Sequence, residues 1–249
     1  MIDIVIPMAG RGSRFSQAGY GKPKPLLDIG DKPMIKLVIE NLKPSQPHRF
    51  IFICQLEHIE EYDLSEKLRK WAPGCEVISV REVTKGAACT VLLAREFING
   101  DNPLMIANSD QWVKTNIDDY IAYLNDSEFD GLIMTMLDHN EKWSYAKIGK
   151  DRVVSRVVEK EVISDEATVG IYNFKKGRFF VAAAEEMIKR NDMSKGEFYV
   201  APVYNYMLSS GLKSSVFNIG KASETMFGLG VPEDYESFLE LRPDQGSFK

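Results

Sequence analysis

Short apolar runs alternate with helically periodic segments along the first part of the chain. Strands are predicted at residues 4–6, 50–54, 77–80 and 104–107, and helices at 34–42, 59–71 and 86–97. Pro33 stands at the start of the first of these helices, where a missing N–H is tolerated. This alternation is typical of right-handed βαβ units, so we expect an α/β fold in which a mostly parallel, Rossmann-like sheet is flanked by helices.

The pattern changes in the second half of the chain. A strand is predicted at residues 132–136, a hairpin at 147–158 around Gly149-Lys150-Asp151, and helices at 175–190 and 198–208. No internal repeat, low-complexity tract or long linker separates the halves. We therefore expect a single domain over residues 1–249.

One glycine-rich segment follows the first predicted strand. Residues 4–27 contain no acidic side chain, and the basic residues Arg11, Arg14, Lys22 and Lys24 lie among four glycines. Glycines let backbone N–H groups approach an anion closely, and basic side chains neutralise the remaining charge. The segment therefore predicts a polyphosphate-binding loop; the alternative is a tight surface turn with incidental charges.

The spacing within this loop excludes two common phosphate-binding motifs. A P-loop requires Lys-Ser or Lys-Thr directly after its last glycine, which this loop lacks. A dinucleotide-binding fingerprint requires glycine or alanine where the chain has Phe15.

Composition restricts the class of partner. The net charge is −5 and the pI is near 5.4, which argues against a nucleic-acid-binding surface. No apolar run approaches a membrane span and the N-terminus has no cationic leader, so a cytoplasmic protein without membrane or nucleic-acid partners is expected. The three cysteines are odd in number and widely spaced, which excludes a disulfide framework and indicates buried small hydrophobic residues.

The composite motif Gly10-Arg11-Gly12-Ser13-Arg14, a spacer, and Pro23-Lys24-Pro25-Leu26-Leu27 resembles the signature of one enzyme family. It is similar to the sugar-1-phosphate nucleotidylyltransferases and their phosphocholine-type cytidylyltransferase relatives. The resemblance implies a GT-A-like fold, with residues 1–115 mainly binding nucleotide and 116–249 mainly binding the acceptor. It also implies that Arg14 and Lys24 lie against the phosphates. The nucleotide-binding residues it implies are Ala9, Gly10, Arg11, Gly12, Ser13, Gly86 and Ala87.

The same resemblance gives Asp110 a role. Asp110 follows the strand at 104–107, and open α/β sheets bind ligands at the carboxyl ends of their strands. We expect Asp110 to hold Mg²⁺, which binds one or two carboxylates together with substrate phosphates. The alternative is a turn cap. Gly86 is implied to lie next to the base; its alternative role is a plain helix N-cap.

The acceptor site is implied by three further matches. Glu159-Lys160 matches a Glu-Lys pair in which the lysine holds the acceptor phosphate and the glutamate an acceptor hydroxyl. Gly170-Ile171-Tyr172 and Gly196-Glu197-Phe198-Tyr199 resemble acceptor-pocket segments, so Gly170 and Glu197 are candidate acceptor-binding residues. Glu197 has the alternative role of capping the helix predicted at 198–208.

One position departs from the family pattern. The segment 228–234 resembles one that opens with a second metal-binding aspartate, but Gly228 stands there. Either Asp110, the phosphates and water hold the metal, or another carboxylate substitutes, or the chain binds nucleotide without catalysis. We expect transfer chemistry because Arg14, Lys24, Asp110 and Lys160 are all present.

The expected reaction is transfer of a nucleoside monophosphate from an NTP to a small phosphorylated acceptor, with release of pyrophosphate. A sugar-1-phosphate is favoured as the acceptor, and phosphocholine or another small phosphorylated metabolite is the alternative. Trp112, Trp143 and Tyr145 are candidates for a cage around a quaternary ammonium, although packing is the favoured role. A nucleotide-sugar-dependent glycosyltransferase is disfavoured, because Asn108-Ser109-Asp110 lacks the first carboxylate of an Asp-x-Asp motif. A homo-oligomer is compatible with the sequence.

Overall fold

A computed structural model of the chain describes residues 1–245. The strands are β1 (Ile2–Met8), β2 (Asp28–Ile29), β3 (Lys32–Pro33), β4 (His48–Gln55), β5 (Glu76–Val80), β6 (Leu104–Ala107), β7 (Gln111–Val113), β8 (Gly131–Leu137), β9 (Ser144–Ile148), β10 (Val154–Glu159), β11 (Glu166–Phe174), β12 (Ser214–Lys221) and β13 (Met226–Gly228). The helices are α1 (Ser13–Gln17), α2 (Met34–Leu42), α3 (Leu56–Tyr62), α4 (Leu64–Trp71), α5 (Ala87–Leu92), α6 (Arg95–Ile98), α7 (Ile117–Asn125), α8 (Gly177–Lys189), α9 (Val203–Ser209) and α10 (Pro232–Leu241).

One nine-stranded sheet runs through the whole molecule in the order β10-β9-β11-β6-β1-β4-β5, with β8 pairing β11 and β12. The half made of β5, β4, β1 and β6 is parallel throughout. Its strand β1 is buried along almost its whole length, as expected for a central parallel strand covered on both faces. The α/β class and the single domain are confirmed.

Antiparallel pairing begins at β11, which lies between β6 on one side and β8 and β9 on the other. The sheet is therefore mixed: β5, β4, β1 and β6 form a parallel block from the N-terminal half of the chain, and β8 and β12 pair in parallel in the C-terminal half. The hairpin predicted at 147–158 is confirmed as β9 and β10. Sequence reasoning missed β11, whose positions are nearly all buried and therefore show no alternation.

Three predicted helices are wrong in extent. The helix predicted at 59–71 is divided into α3 and α4 by Asp63, which adopts a left-handed backbone with φ 50°. The helix predicted at 86–97 is divided where Leu93 and Ala94 donate tight bonds to residues three positions earlier. The helix predicted at 198–208 begins only at Val203. The backbone of Phe198 instead forms hydrogen bonds with Lys85, which precedes α5, and with Ala88, which lies in α5.

A separate apolar cluster connects the glycine-rich loop to the C-terminal part of the chain. Phe15 of α1 packs edge-to-face on Tyr235 of α10, and Trp112 of β7 packs on Phe238 of α10. Strands β7 and β13 form a small antiparallel ribbon beside them. This cluster brings the segment after β6 and the segment after β13 together at one edge of the main sheet.

Two remaining expectations concern bulk properties. No helix among residues 1–245 is long and apolar enough to cross a membrane. Cys54 and Cys75 are buried as expected, whereas Cys89 is partly exposed.

Candidate active site

The glycine-rich loop leaves the carboxyl end of β1 and turns into α1 at Gly12. Gly12 has φ 60°, a left-handed conformation that glycine adopts at little cost. The Gln55 side chain at the end of β4 donates a hydrogen bond of 2.8 Å to the carbonyl of Ala9 and holds the loop from the neighbouring strand. Arg11 and Arg14 are both exposed, and neither forms an ion pair within residues 1–245.

A cavity of about 480 Å³ opens beside this loop, and we call it the loop cavity. Its lining includes Ala9, Gly10, Arg11, Ser13, Gly86, Ala87 and Glu197. Arg14 is not part of that lining. Six of the seven residues implied to bind nucleotide thus border one space, and Gly12 forms the turn beneath it.

The backbone of Phe198 packs so closely against position 86 that a side chain there would clash with it. Gly86 has φ 130°, and a Cβ there would lie 2.5 Å from both the nitrogen and the oxygen of Phe198. Phe198 donates to the carbonyl of Lys85 at 2.8 Å and accepts from the N–H of Ala88 at 2.9 Å, on either side of this glycine. Gly86 is also the N-cap of α5, so the N-cap interpretation is confirmed, and the position of Gly86 next to the base stays a prediction.

Asp110 and Lys24 face each other in a second space, the aspartate cavity, of about 200 Å³. The Lys24 Nζ lies 2.6 Å from the Asp110 Oδ2, and the two side chains are only 22% and 21% exposed. Partial burial strengthens such a pair relative to a surface ion pair. Because β1 and β6 are parallel neighbours, their following loops meet here.

The segment after β13 packs against Asp110. The N–H of Leu229 donates to the carbonyl of Asp110 at 2.7 Å, and a Cβ on Gly230 would lie 2.8 Å from Oδ2 of Asp110. A Cβ on Gly228 would instead lie 3.4 Å from Oδ2 of Asp234, which pairs with Lys142 at 3.2 Å. The segment resembling the second metal motif therefore does lie next to Asp110, and Asp234 is the carboxylate nearest position 228.

A third space, the lysine cavity, has a volume of about 290 Å³ and lies between β9, β10 and β11. Glu159, at the end of β10, is almost fully buried and hydrogen-bonds the hydroxyl of Ser144, its cross-strand partner on β9. Burial raises the pKa of the Glu159 carboxyl above its ordinary value. Lys160 lies beside it, with Nζ 4.0 Å from a Glu159 oxygen.

Gly170 shapes the wall between the lysine and aspartate cavities. It has φ 80° where the register of β11 against β8 shifts, and a Cβ there would lie 2.1 Å from Nδ2 of Asn108 and 2.6 Å from Oε1 of Gln111. Its carbonyl accepts from the N–H of Asn108 at 3.0 Å. Only glycine lets these polar side chains approach the strand so closely.

The three cavities share wall residues. Gly10 borders the loop and aspartate cavities, Asn108 the aspartate and lysine cavities, and Ala87 the loop and lysine cavities. The arrangement forms one continuous cleft with a basic loop at one end, a buried carboxylate and Lys160 at the other, and the Lys24–Asp110 pair between them. Such a cleft suits two ligands that meet near Asp110.

Some sequence-based roles change in the structure. Glu197 does not cap a helix; it forms a tight bridge with Ser194 and lines the loop cavity rather than the lysine cavity. Trp112 is 5% exposed in the apolar cluster and Tyr145 is fully buried, so packing is confirmed for both. Trp143 alone of the three aromatic candidates lines the lysine cavity.

Sequence reasoning missed Ser144 and Thr168 on the floor of the lysine cavity. The predicted hairpin is the signal that could have indicated Ser144, but counting outward from the turn at Gly149-Lys150-Asp151 places Ser144 opposite Arg156. The observed partner is Glu159, because the connection is longer than predicted and the register shifts between Val154 and Arg156. No comparable signal marks Thr168, whose hydroxyl lies 3.0 Å from that of Tyr172. Its position depends on β11, which the hydrophobic pattern did not reveal.

Two curated proteins are similar to this chain over about two thirds of its length or more. The bifunctional protein GlmU of Methanococcus maripaludis is 27% identical over 183 residues, which cover 72% of this chain and 41% of the relative. The UTP--glucose-1-phosphate uridylyltransferase of Bacillus subtilis is 29% identical over 66% of this chain and 58% of its own length. The chain thus spans well under two thirds of the length of these curated relatives.

Solved structures give the same result at the level of the fold. A nucleoside-diphosphate-sugar pyrophosphorylase of Vibrio cholerae has a TM-score of 0.78 and 26% identity, covering 95% of this chain and 99% of that chain. An inositol-1-phosphate CTP transferase of T. maritima has a TM-score of 0.75 at 14% identity and supports the fold alone. Residues 4–210 match the sequence profile of the family described as nucleotidyl transferase, and the chain belongs to that family.

Proposed function

We propose that the chain transfers a nucleoside monophosphate from an NTP to a sugar-1-phosphate and releases pyrophosphate. The observation that carries the proposal is the position of the Lys24–Asp110 pair between a glycine-rich loop and a cavity containing Lys160. Two phosphorylated ligands held at the two ends of this cleft would meet at that pair. The similar uridylyltransferase of Bacillus subtilis and pyrophosphorylase of Vibrio cholerae are named for this chemistry in those proteins.

The transfer requires no protein nucleophile. A phosphate oxygen of the acceptor attacks the α-phosphorus of the NTP, a new P–O bond forms, and the bond to the pyrophosphate leaving group breaks. The protein contributes by holding both reactants in line and by neutralising phosphate charge. The loop amides and Arg11 would hold the triphosphate, Lys24 the phosphates near the reacting atom, and Lys160 the acceptor phosphate.

Asp110 would hold Mg²⁺ together with the NTP phosphates. Mg²⁺ commonly binds one or two carboxylates plus substrate oxygens, which fits a single carboxylate facing a phosphate-sized cavity. No cluster of three or more potential ligand side chains occurs within residues 1–245, so the phosphates would supply the other ligands. When bound, the ion would act as a Lewis acid and template for the phosphates. Lys24 would then donate to phosphate oxygens rather than to Asp110 alone.

The floor of the lysine cavity favours a sugar. Within residues 1–245, Glu159 accepts from one hydroxyl, that of Ser144, and the hydroxyls of Thr168 and Tyr172 bond each other nearby. A buried carboxylate gains from further donors, and sugar hydroxyls supply donors with defined directions. We therefore assign the sugar ring to this floor and its phosphate to Lys160.

A phosphocholine-type acceptor is the second candidate, and one observation favours it. Trp143 and Tyr199 both present rings to the lysine cavity, and a quaternary ammonium binds to aromatic faces. Trp112 is removed from this hypothesis by its burial in the apolar cluster.

A pyrophosphate-release assay with each NTP against a panel of sugar-1-phosphates and phosphocholine tests the proposal. Sugar-1-phosphate turnover supports it, phosphocholine turnover alone supports the second candidate, and NTP binding without pyrophosphate release indicates a non-catalytic nucleotide-binding protein. Lys160→Ala is expected to reduce acceptor kcat/KM by about 10- to 100-fold, the effect of losing a charge-assisted contact to phosphate. The matched control is Lys147→Ala, an exposed lysine on β9.

A further inference from the structure

Lys160 has an unusual backbone conformation for its residue type. Its φ is 54°, in the left-handed region that non-glycine residues rarely adopt, and its N–H donates to the carbonyl of Trp143 at 3.0 Å. Such a conformation persists only where surrounding contacts enforce it, and it occurs preferentially at functional sites. Here it turns the chain directly after β10 and leaves the Lys160 side chain on the wall of the lysine cavity.

The ammonium group of Lys160 contacts the hydroxyl end of a single side chain. Nζ donates a hydrogen bond of 2.9 Å to the hydroxyl of Tyr199 and lies 4.8 Å from the centroid of its ring. The nearest carboxylate oxygen, on Glu159, is more distant at 4.0 Å. Tyr199 therefore determines where the positive charge of Lys160 lies.

The two residues that precede Tyr199 contact the wall of the loop cavity. The preceding residue, Phe198, bonds through its backbone to Lys85 and Ala88 on either side of Gly86. The residue before that, Glu197, lines the loop cavity. Three consecutive residues thus connect the wall of the loop cavity to the ammonium group in the lysine cavity.

We propose that Tyr199 is a positioning residue that holds Lys160 for the acceptor phosphate through its hydroxyl. The inference rests on the proposed function for the identity of the ligand, but the contact between the two side chains does not. The hydroxyl contact also raises the pKa of Lys160, with smaller contributions from Glu159 and Glu197.

Kinetics of Tyr199→Phe test the hydroxyl contact. Removing the hydroxyl is expected to raise the acceptor KM about three- to tenfold, the effect of one hydrogen bond. The KM for NTP should change less than twofold. An unchanged acceptor KM, or an equal rise in both KM values, would overturn the assignment.

The matched control is Tyr206 on α9. Its hydroxyl donates to Asp192 at 2.6 Å, so Tyr206→Phe also removes one hydrogen bond to a charged side chain, but away from the cleft. Tyr206→Phe should leave both KM values unchanged.

Competitive acetylation of lysines with acetic anhydride, read by mass spectrometry, tests the contact without turnover. At fixed pH, Lys160 should react at least about threefold faster in Tyr199→Phe than in wild type, relative to Lys147, because a lower pKa exposes more neutral amine. An unchanged rate rejects the positioning role even if the enzyme is active. A raised rate without turnover on any acceptor supports the positioning role and rejects the proposed function.

Discussion

The two ends of the cleft are built in different ways. At the loop cavity and the aspartate cavity, the candidate groups lie in segments that directly follow parallel strands: the loop after β1 and Asp110 after β6. At the lysine cavity they belong to the strands themselves: Glu159 ends β10, Ser144 begins β9, and Thr168 lies within β11. The first kind of site depends on where a strand ends, and the second depends on strand register.

The difference extends to the glycines at the two ends. Gly86 makes room for the backbone of Phe198, whereas Gly170 makes room for the side chains of Asn108 and Gln111. Backbone cannot move without breaking hydrogen bonds, while the end of a side chain can rotate. Tolerance to an added methyl group should therefore differ between the two ends.

The largest effect is expected from Gly86→Ala, with a loss of about 3 to 5 kcal/mol in the free energy of unfolding from backbone strain and overpacking together. Gly170→Ala should lose less, because the Asn108 amide can rotate away. Gly19→Ala is the control: its φ is 87° but its surroundings are open, so only the strain, about 1 kcal/mol, should remain. Urea unfolding measures all three. Equal losses for Gly86 and Gly19 would show that packing against Phe198 contributes nothing.

The next effect concerns the pair at the centre of the cleft. Lys24→Ala and Asp110→Asn are each expected to raise the activation barrier by about 2 to 4 kcal/mol, or 30- to 1,000-fold in turnover, without loss of fold. Lys22→Ala is the matched control, because Lys22 pairs with Asp28 at an exposed position of the same segment. Arg14→Ala tests the loop itself: a strong loss of turnover is expected if this exposed arginine moves onto bound phosphate. Near-wild-type turnover in Lys24→Ala would contradict the assignment of the site.

Two tryptophans sharpen the comparison between packing and recognition. Trp112→Leu should lower the free energy of unfolding by about 2 to 3 kcal/mol while leaving the acceptor KM unchanged, because its ring is buried against Phe227 and Phe238. Trp143→Leu should instead alter acceptor use, by about 0.5 to 2 kcal/mol if the acceptor is a quaternary ammonium. Chemical unfolding and acceptor competition, measured on both variants, distinguish the packing role from the recognition role. A change in acceptor preference in Trp112→Leu would contradict the packing role of Trp112.

The smallest effect is a pH dependence of stability from Glu159. Burial raises its folded pKa above the ordinary value of 4.5, so the folded state binds more protons and stability falls as pH rises through the interval between the two values. The substitution Glu159→Gln removes the titrating carboxyl, and with it this fall in stability. The variant should therefore be more stable than wild type at pH 7, by about 1 kcal/mol or 2 to 4 °C in Tm, and no more stable below pH 4.5. It should also use a sugar-1-phosphate less well. A stability gain that is the same at both pH values would exclude titration of Glu159 as the cause.

The sequence by itself determined the parallel half of the fold and the position of its loops. Apolar runs are long enough there to define β1, β4, β5 and β6, and the glycine-rich segment and Asp110 directly follow two of them. Because parallel neighbours end at the same edge of a sheet, local pattern was sufficient to bring these groups together. The hairpin of β9 and β10 was equally predictable, since its turn lies between two short apolar strands.

Tertiary structure alone decided the rest. Strand β11 is buried throughout and shows no periodicity, so neither its place between β6 and β8 nor the contact of Gly170 with Asn108 could be derived from the sequence. The contact of Lys160 with Tyr199 joins residues 39 positions apart and depends on Phe198 pairing with the start of α5 instead of beginning a helix. Propensity is a local property, whereas these contacts are set by the packing of segments distant in the chain, which is why the acceptor end of the cleft required the structure.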